Sequence, residues 1–296
     1  MGGRQPPMPT GAAAADYLAE LLRGPERAGE VVAVRSRAAL AAIDTGGGAR
    51  LIAITSAANA TRTANTLLLT EVAPPEPGSR VQVGAGTLSV DGRRHRILRY
   101  WPSGTAPQPV DPDAPQQLAQ LTSTAVRGLS TETVFPLLTA LATGSRLVEA
   151  ARSLVGRGPG STPAGDDVLA GVALALRMTD RPGLLGQLRG AITPDLHDRT
   201  TALSADLLRA ALAGHASPEV RSLLLTLRPG ASHEHRRRAT QAVLGLGSTS
   251  GADLLLGLTG ALIAAAPAAA HAARDIGPRP DPTSMHPRQT GRMATR

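Results

Sequence analysis

Gly156-Arg157-Gly158-Pro159-Gly160-Ser161-Thr162-Pro163-Ala164-Gly165-Asp166-Asp167 decides how the second half of the chain is read. Thr162 is a good N-cap and Pro163 a good first helical residue, so a helix is expected to open here and run to Met178. The preceding glycines let a ligand approach the free backbone N–H groups of the first turn, which makes an anion site. Asp166 and Asp167 favour the helix dipole. They would repel a phosphate unless a cation, an arginine or a proton intervenes. A second segment, Gly247-Ser248-Thr249-Ser250-Gly251-Ala252-Asp253, again runs from Gly-Ser-Thr into an apolar helix. In both, an aspartate falls four residues after the threonine: Asp166 after Thr162, and Asp253 after Thr249. Gly171 and Gly257 follow where small residues permit close helix contact. If the two helix starts face each other, Asp166, Asp167 and Asp253 converge on one pocket with two sets of backbone donors. Three carboxylates could hold Mg²⁺, or one could act as a general base.

Working outward, apolar residues recur at three- and four-residue spacing in Gln116–Arg127, Thr133–Leu141, Arg146–Leu154, Leu184–Ala191, Leu196–Ala213, Pro218–Leu227, Ser232–Leu244 and Ala252–Ala266. Ahead of them, Pro102, Pro107, Pro109, Pro112 and Pro115 mark residues 102–115 as a linker. Before the linker, Val31–Val34, Leu51–Ile54 and Val81–Val83 are short strand signals. Thr87–Val90, Asp91-Gly92 and Arg93–Tyr100 have the form of a hairpin, because Asp-Gly supplies the positive φ of a tight turn. A helix over Ala12–Arg23 is expected to precede them. The pattern predicts an α+β chain, a small, mostly antiparallel β-rich N-terminal domain followed by an Ala/Leu-rich helical domain. Its segments are 1–27 with a helix, 28–101 β-rich, 102–115 linker, 116–273 helical and 274–296 a disordered tail.

Composition narrows the function classes. The chain has 296 residues, 42% of them hydrophobic and 18% charged, which is globular composition. It has no cysteine, so disulfides, thiolate nucleophiles and zinc–sulfur sites are excluded and a reducing cytoplasm is the default. Tyr17, Tyr100, Trp101 and Phe135 are the aromatic residues, too few for base-stacking platforms. The net charge of +8 comes from arginine alone, since lysine is absent, as a GC-rich coding bias would produce. The dense basic clusters are Arg93-Arg94-His95-Arg96 and Arg236-Arg237-Arg238, and part of the charge lies in the terminal tail. A small anionic partner fits this charge as well as a nucleic acid does. The uncharged run Leu254–Ala270 is broken by Pro267 and reads as a buried helix rather than a membrane span.

Other chemistries lack their motifs. No Gly-Lys-Ser/Thr is present for a Walker loop. Gly158-Pro159-Gly160 lacks the last glycine and the strand of a dinucleotide fingerprint. A nucleophile elbow would need serine where Thr249 stands. Gly245–Ser250 superficially resembles the phosphate loop of the galactokinase and homoserine-kinase superfamily, whose other motifs do not appear. His233-Glu234-His235 reads as a solvated helix start, and His95, His197 and His215 as surface or structural residues.

The two glycine-rich elements are similar to the signature segments of the AllH-type family: Gly158-Pro159-Gly160-x-Thr162-Pro163-x-x-Asp166-Asp167-x-Leu169-x-Gly171 and Gly247-x-Thr249-Ser250-Gly251-x-Asp253-x-Leu255-x-Gly257. Ser204-x-x-Leu207-Leu208-x-x-Ala211-x-x-Gly214 resembles the helix between them. The likeness covers about 150–262. Ser161 and Ser248 depart from the family's usual leucine and occasional histidine. The resemblance implies a subunit of an oxamate carbamoyltransferase of purine and allantoin nitrogen catabolism, working with two other subunit types in the cytoplasm. It implies carbamoyl transfer between carbamoyl phosphate and a small amide or acid acceptor. On that reading Arg157, Gly158, Gly160, Ser161, Thr162, Ser248, Thr249, Ser250 and Gly251 bind anionic substrate. Asp166, Asp167 and Asp253 then orient an amide nitrogen or hold Mg²⁺. The competing expectation is a non-catalytic assembly or metabolite-binding subunit.

Overall fold

The computed structural model describes residues 10–35, 38–56, 62–70 and 75–264. Among them, β1 (Thr10–Ala15), β2 (Arg27–Arg35), β3 (Ala38–Asp44), β4 (Ala49–Ser56), β5 (Thr66–Leu69), β6 (Arg80–Gly84), β7 (Thr87–Val90) and β8 (Arg93–Trp101) close a barrel in the order β1-β5-β4-β3-β2-β6-β7-β8. A 3₁₀ turn, Asp16–Leu18, links β1 to α1 (Ala19–Arg23). The helices that follow are α2 (Ala114–Leu121), α3 (Thr131–Thr143), α4 (Leu147–Arg152), α5 (Ala164–Met178), α6 (Pro182–Ile192) and α7 (Leu196–Arg199). They continue with α8 (Ala202–Leu212), α9 (Pro218–Leu225), α10 (His233–Leu244) and α11 (Ser250–Ala264).

The barrel is filled by Ile43, Ile52, Ile54, Leu67, Val83 and Leu88, with Leu18 and Leu22 closing it, all fully buried. The β7–β8 hairpin turns at Asp91 and Gly92, with φ of 46° and 80°. Both residues are left-handed, which matches the twist of the strands they join.

Three sequence expectations need correction. The chain is not a small β domain followed by a separable helical one, because barrel and helices form one compact unit of mixed α/β architecture. The buried carboxylate of Asp206 on α8 accepts the Leu51 N–H of β4, and Arg50 and Arg209 lie 3.7 and 3.8 Å from its other oxygen. Leu203 packs on the outer face of β3 and β4 at Leu40, Leu51 and Ala53. Residues 102–113 are also pinned across the helices: Thr105 N–H donates to the Gly214 carbonyl (2.7 Å), Gln108 N–H to Met178 (2.9 Å) and Asp111 N–H to Leu227 (2.7 Å). The prolines hold this segment extended, and its remaining donors tie it down.

The sheet is mostly antiparallel, as expected, with six of its eight strand pairings antiparallel and two parallel. β1 runs parallel to β8, and β4 parallel to β5. Ala12–Arg23 is not a continuous helix. Its alanines form β1, where Ala14 and Ala15 are completely buried between β5 and β8. Helix propensity is a weak prior, and a side chain as small as alanine fits a crowded barrel seam where a larger one would not.

The helical half centres on α5 and α11. A Cβ on Gly171 would lie 2.0 Å from the Leu254 carbonyl oxygen, and one on Gly257 would lie 2.0 Å from that of Val168. The two backbones therefore touch reciprocally, as the small residues predicted. No described helix is long and apolar enough to cross a membrane. The part of Leu254–Ala270 beyond residue 264, and the tail 274–296, lie outside the described residues.

Candidate functional site

The loop before α5 is built by left-handed glycines, Gly156 (φ 72°), Gly158 (114°) and Gly160 (97°). Pro163, rather than Thr162, takes the N-cap position. Gly165 is required because a Cβ there would sit 2.0 Å from the Leu154 carbonyl. Asp166 then reaches back: one carboxylate oxygen accepts the Gly156 N–H at 2.8 Å, and the other accepts the hydroxyls of Thr200 and Ser204 (the latter at 2.6 Å). Thr201 adds a hydroxyl bond to the Ser161 carbonyl at 2.5 Å.

The start of α11 repeats this construction. Gly247 is left-handed (φ 62°), and a Cβ on Gly251 would fall 1.9 Å from the Val243 carbonyl. Asp253 is fully buried and accepts the N–H groups of Gly128 (3.0 Å) and Leu129 (3.2 Å). Gly128 sits between the two starts, with room for a Cβ denied by Ala164 on one side and by Asp253 and Thr249 on the other. The hydroxyls of Thr162 and Ser250, 2.9 Å apart, join the loops directly. The two helix starts do face each other.

They open onto a cavity of about 370 Å³ between the helices and the barrel wall. Of the sequence-predicted residues, Ser161, Thr162, Asp167, Ser250 and Gly251 line it. Asp166 and Asp253 are buried and committed to loop donors. Arg157, Gly158, Gly160 and Ser248 are exposed, and these four and Thr249 are not among its lining. Asp167 is the acid that faces the space, with one oxygen lacking any partner among the described residues. Burial pushes its carboxyl up to about 8 against the opposing Ser250 hydroxyl, and the nearby Asp253 and Asp166 charges push the same way. Asp167 is therefore mostly a protonated, neutral donor at pH 7. Among the described residues no group of three or more His, Asp or Glu is arranged to hold a metal ion. The three aspartates do not fit Mg²⁺ as a shared ligand set, because two have spent their oxygens on N–H and O–H donors.

The opposite wall was not anticipated. Arg35, at the end of β2, and Arg62, in the segment before β5, line the cavity, and neither forms an ion pair among the described residues. Arg62 lies over the Trp101 ring, 5.9 Å from its centroid. His215, in the turn after α8, also lines the cavity. Its Nδ1 is 2.9 Å from the Ser103 hydroxyl and 3.4 Å from an Asp16 carboxylate oxygen. The ring leans on Tyr17 at 5.0 Å between centroids. Leu40, Leu174, Leu203, Leu207, Val220 and Leu254 supply an apolar lining between these polar groups.

Residues 154–262 match the family described as oxamate carbamoyltransferase subunit AllH. The match spans 109 of the 296 residues, and over this segment the chain is similar to the AllH family. No solved structure matches the chain. The AllH segment contains both helix starts, Ser204 and His215, whereas Arg35, Arg62, Asp16 and Ser103 come from outside it. The dense cluster Arg236–Arg238 lies on α10 and is not a basic face. Arg236 is buried against Asp111 at 3.0 Å and the Thr226 carbonyl, while Arg237 and Arg238 pair with Glu234. His233 and His235 are exposed at the start of the same helix.

Proposed function

We propose that this chain is the AllH-type subunit of an oxamate carbamoyltransferase-like enzyme and that the cavity binds its small anionic substrate. The reading is carried by one observation: both signature helix starts and two arginines that form no ion pair among the described residues line the same space. Oxamate and carbamoyl phosphate are compact anions carrying amide groups. Arg35 and Arg62 would attract the negative groups, the Thr162 and Ser250 hydroxyls would bond to them, and a protonated Asp167 would donate to a carbonyl or phosphoryl oxygen. Charge growing on the carbamoyl oxygen and on the departing phosphate needs such fixed donors. Backbone N–H groups of 158–162 and 248–251, with Arg157 beside them, would serve anion entry at the mouth of the loops. Asp166 and Asp253 would hold the two loops in place. The enzyme is expected to include two other subunit types and to act in cytoplasmic purine-nitrogen breakdown.

The apolar lining favours one second reading, a metabolite-binding regulatory subunit, because about 370 Å³ exceeds what oxamate needs. The deciding experiment is carbamoylation of oxamate by carbamoyl phosphate, with the chain alone and with its two partner subunits. Turnover that requires this chain and loses at least tenfold in kcat/KM with Arg62→Gln supports transfer at this cavity. Binding without turnover in every mixture, by a folded chain, supports the regulatory reading instead.

A further inference from the structure

His215 is held by a set of contacts that determines which ring nitrogen carries the proton. The Ser103 hydroxyl donates its single proton to Asp16, and the Ser103 backbone N–H donates to the same carboxylate oxygen at 2.9 Å. The hydroxyl therefore has only lone pairs to offer His215 Nδ1, which lies 2.9 Å away, and Asp16, at 3.4 Å, likewise only accepts. A neutral ring in this setting keeps its proton on Nδ1 and presents the Nε2 lone pair. Within the described residues no hydrogen bond is made to Nε2, and the ring lines the cavity. Ser103 is completely buried, so its hydroxyl has no water to exchange partners with.

We propose that His215 is the proton acceptor of this cavity, with Nε2 the receiving atom and Asp16 and Ser103 as positioning residues. The assignment rests on the carbamoyl-transfer reading. In that reaction the acceptor nitrogen attacks the carbamoyl carbon. A C–N bond forms, the bond from carbon to the phosphate oxygen breaks, and its electron pair leaves with phosphate. The proton lost by the nitrogen goes to Nε2 and then to the departing phosphate, which is released as hydrogen phosphate. The sum is an amine or amide N–H plus carbamoyl phosphate giving an N-carbamoyl product and hydrogen phosphate. Burial depresses the ring's proton affinity, Arg177 on α5 acts in the same sense, and the Asp16 charge opposes both. These groups and Tyr17 face the ring, and Arg221 on α9 is bonded to the adjoining Gly104 carbonyl. The ring is thus free to accept a proton at pH 7.

The test uses the full chain with its partner subunits and the variant His215→Asn, whose amide keeps a donor near Nδ1 and removes Nε2. The expected result is a fall of at least 100-fold in kcat, a change in KM below threefold, and loss of the acid limb of the kcat–pH profile. A folded His215→Asn with wild-type kcat overturns the assignment while leaving transfer intact. If wild-type mixtures show no transfer, it is the transfer reading that fails. The ¹⁵N spectrum of the histidine-labelled chain then decides for His215. A proton on Nδ1, with an Nε2 signal that moves on adding oxamate or carbamoyl phosphate, supports the assignment. A proton on Nε2 overturns it. Asp16→Ala, which removes the acceptor of the Ser103 hydroxyl and frees that proton for Nδ1, is expected to raise the Nε2–H fraction, and an unchanged spectrum removes Asp16 from its positioning role.

Discussion

The starts of α5 and α11 share a plan and differ by one carboxyl. Each has a left-handed glycine in its loop, a glycine pressed on a carbonyl oxygen in its first turn, and a buried aspartate that accepts loop backbone N–H, Asp166 from Gly156 of its own loop and Asp253 from Gly128 and Leu129 of another. At the next position α5 has Asp167 and α11 has Leu254, and both side chains line the cavity. The repeated feature therefore builds the site, and the unrepeated one faces its contents. An acid that recurs with fixed spacing looks like a ligand set in sequence, yet here the recurrence reflects a loop that needs its N–H groups satisfied twice.

The comparison can be broken most severely at the reciprocal glycines. Gly257→Ala and Gly171→Ala each place a methyl against a carbonyl oxygen in the α5–α11 seam, and overpacking of this kind is expected to cost about 3 kcal/mol or more. Urea denaturation of each variant checks this, and losses that differ widely between the two would deny the seam its symmetry. Next come Asp253→Ala and Asp166→Ala. Each strips buried loop donors of their acceptor, at a cost of about 2–4 kcal/mol in the same assay. A small loss for one and a large loss for the other would show that only one aspartate carries its loop.

Asp167→Asn sharpens the contrast through pH. Folding raises this carboxyl from 3.8 to about 8. The native state therefore binds the proton more tightly than the unfolded chain. The stability that this supplies is complete below the unfolded value and is lost as pH rises toward 8. Asparagine does not titrate, so the Tm of Asp167→Asn relative to wild type should climb between about pH 4 and pH 8. Equal differences at the two ends would mean that Asp167 is ionised in the fold. The smallest effect is expected from Ser250→Ala, about 1 kcal/mol or less. It also removes the hydroxyl that lowers the Asp167 pKa, so the Tm difference between Ser250→Ala and wild type should turn more negative toward pH 8.

Local chemistry made part of this legible. Asp91-Gly92 marked its hairpin, glycine spacing marked the α5–α11 seam, and Gly-Ser-Thr marked both helix starts. What local signals could not carry was whatever depends on distant pairing. Alanines serve helix interiors and barrel seams alike, so β1 and β3 had no signature of their own. His215 looked isolated because its partners, Ser103 and Asp16, are brought to it only by the pinned segment 102–113 and by barrel closure. Arg35 and Arg62 were hidden in a chain whose every basic residue is arginine.

The parallel pairing of β1 with β8 has a consequence for the order of assembly. β1 is synthesised well before both of its partners, and its edges are covered one at a time, by β5 and then by residues 93–101. Asp16, at the end of that strand, waits still longer for Ser103 and His215. Closure depends on contacts far apart in sequence, which fold slowly. The nascent chain therefore exposes an alanine-rich open edge until residue 101 has emerged, and a chaperone that covers it should raise the yield of folded protein more than one acting on the helices.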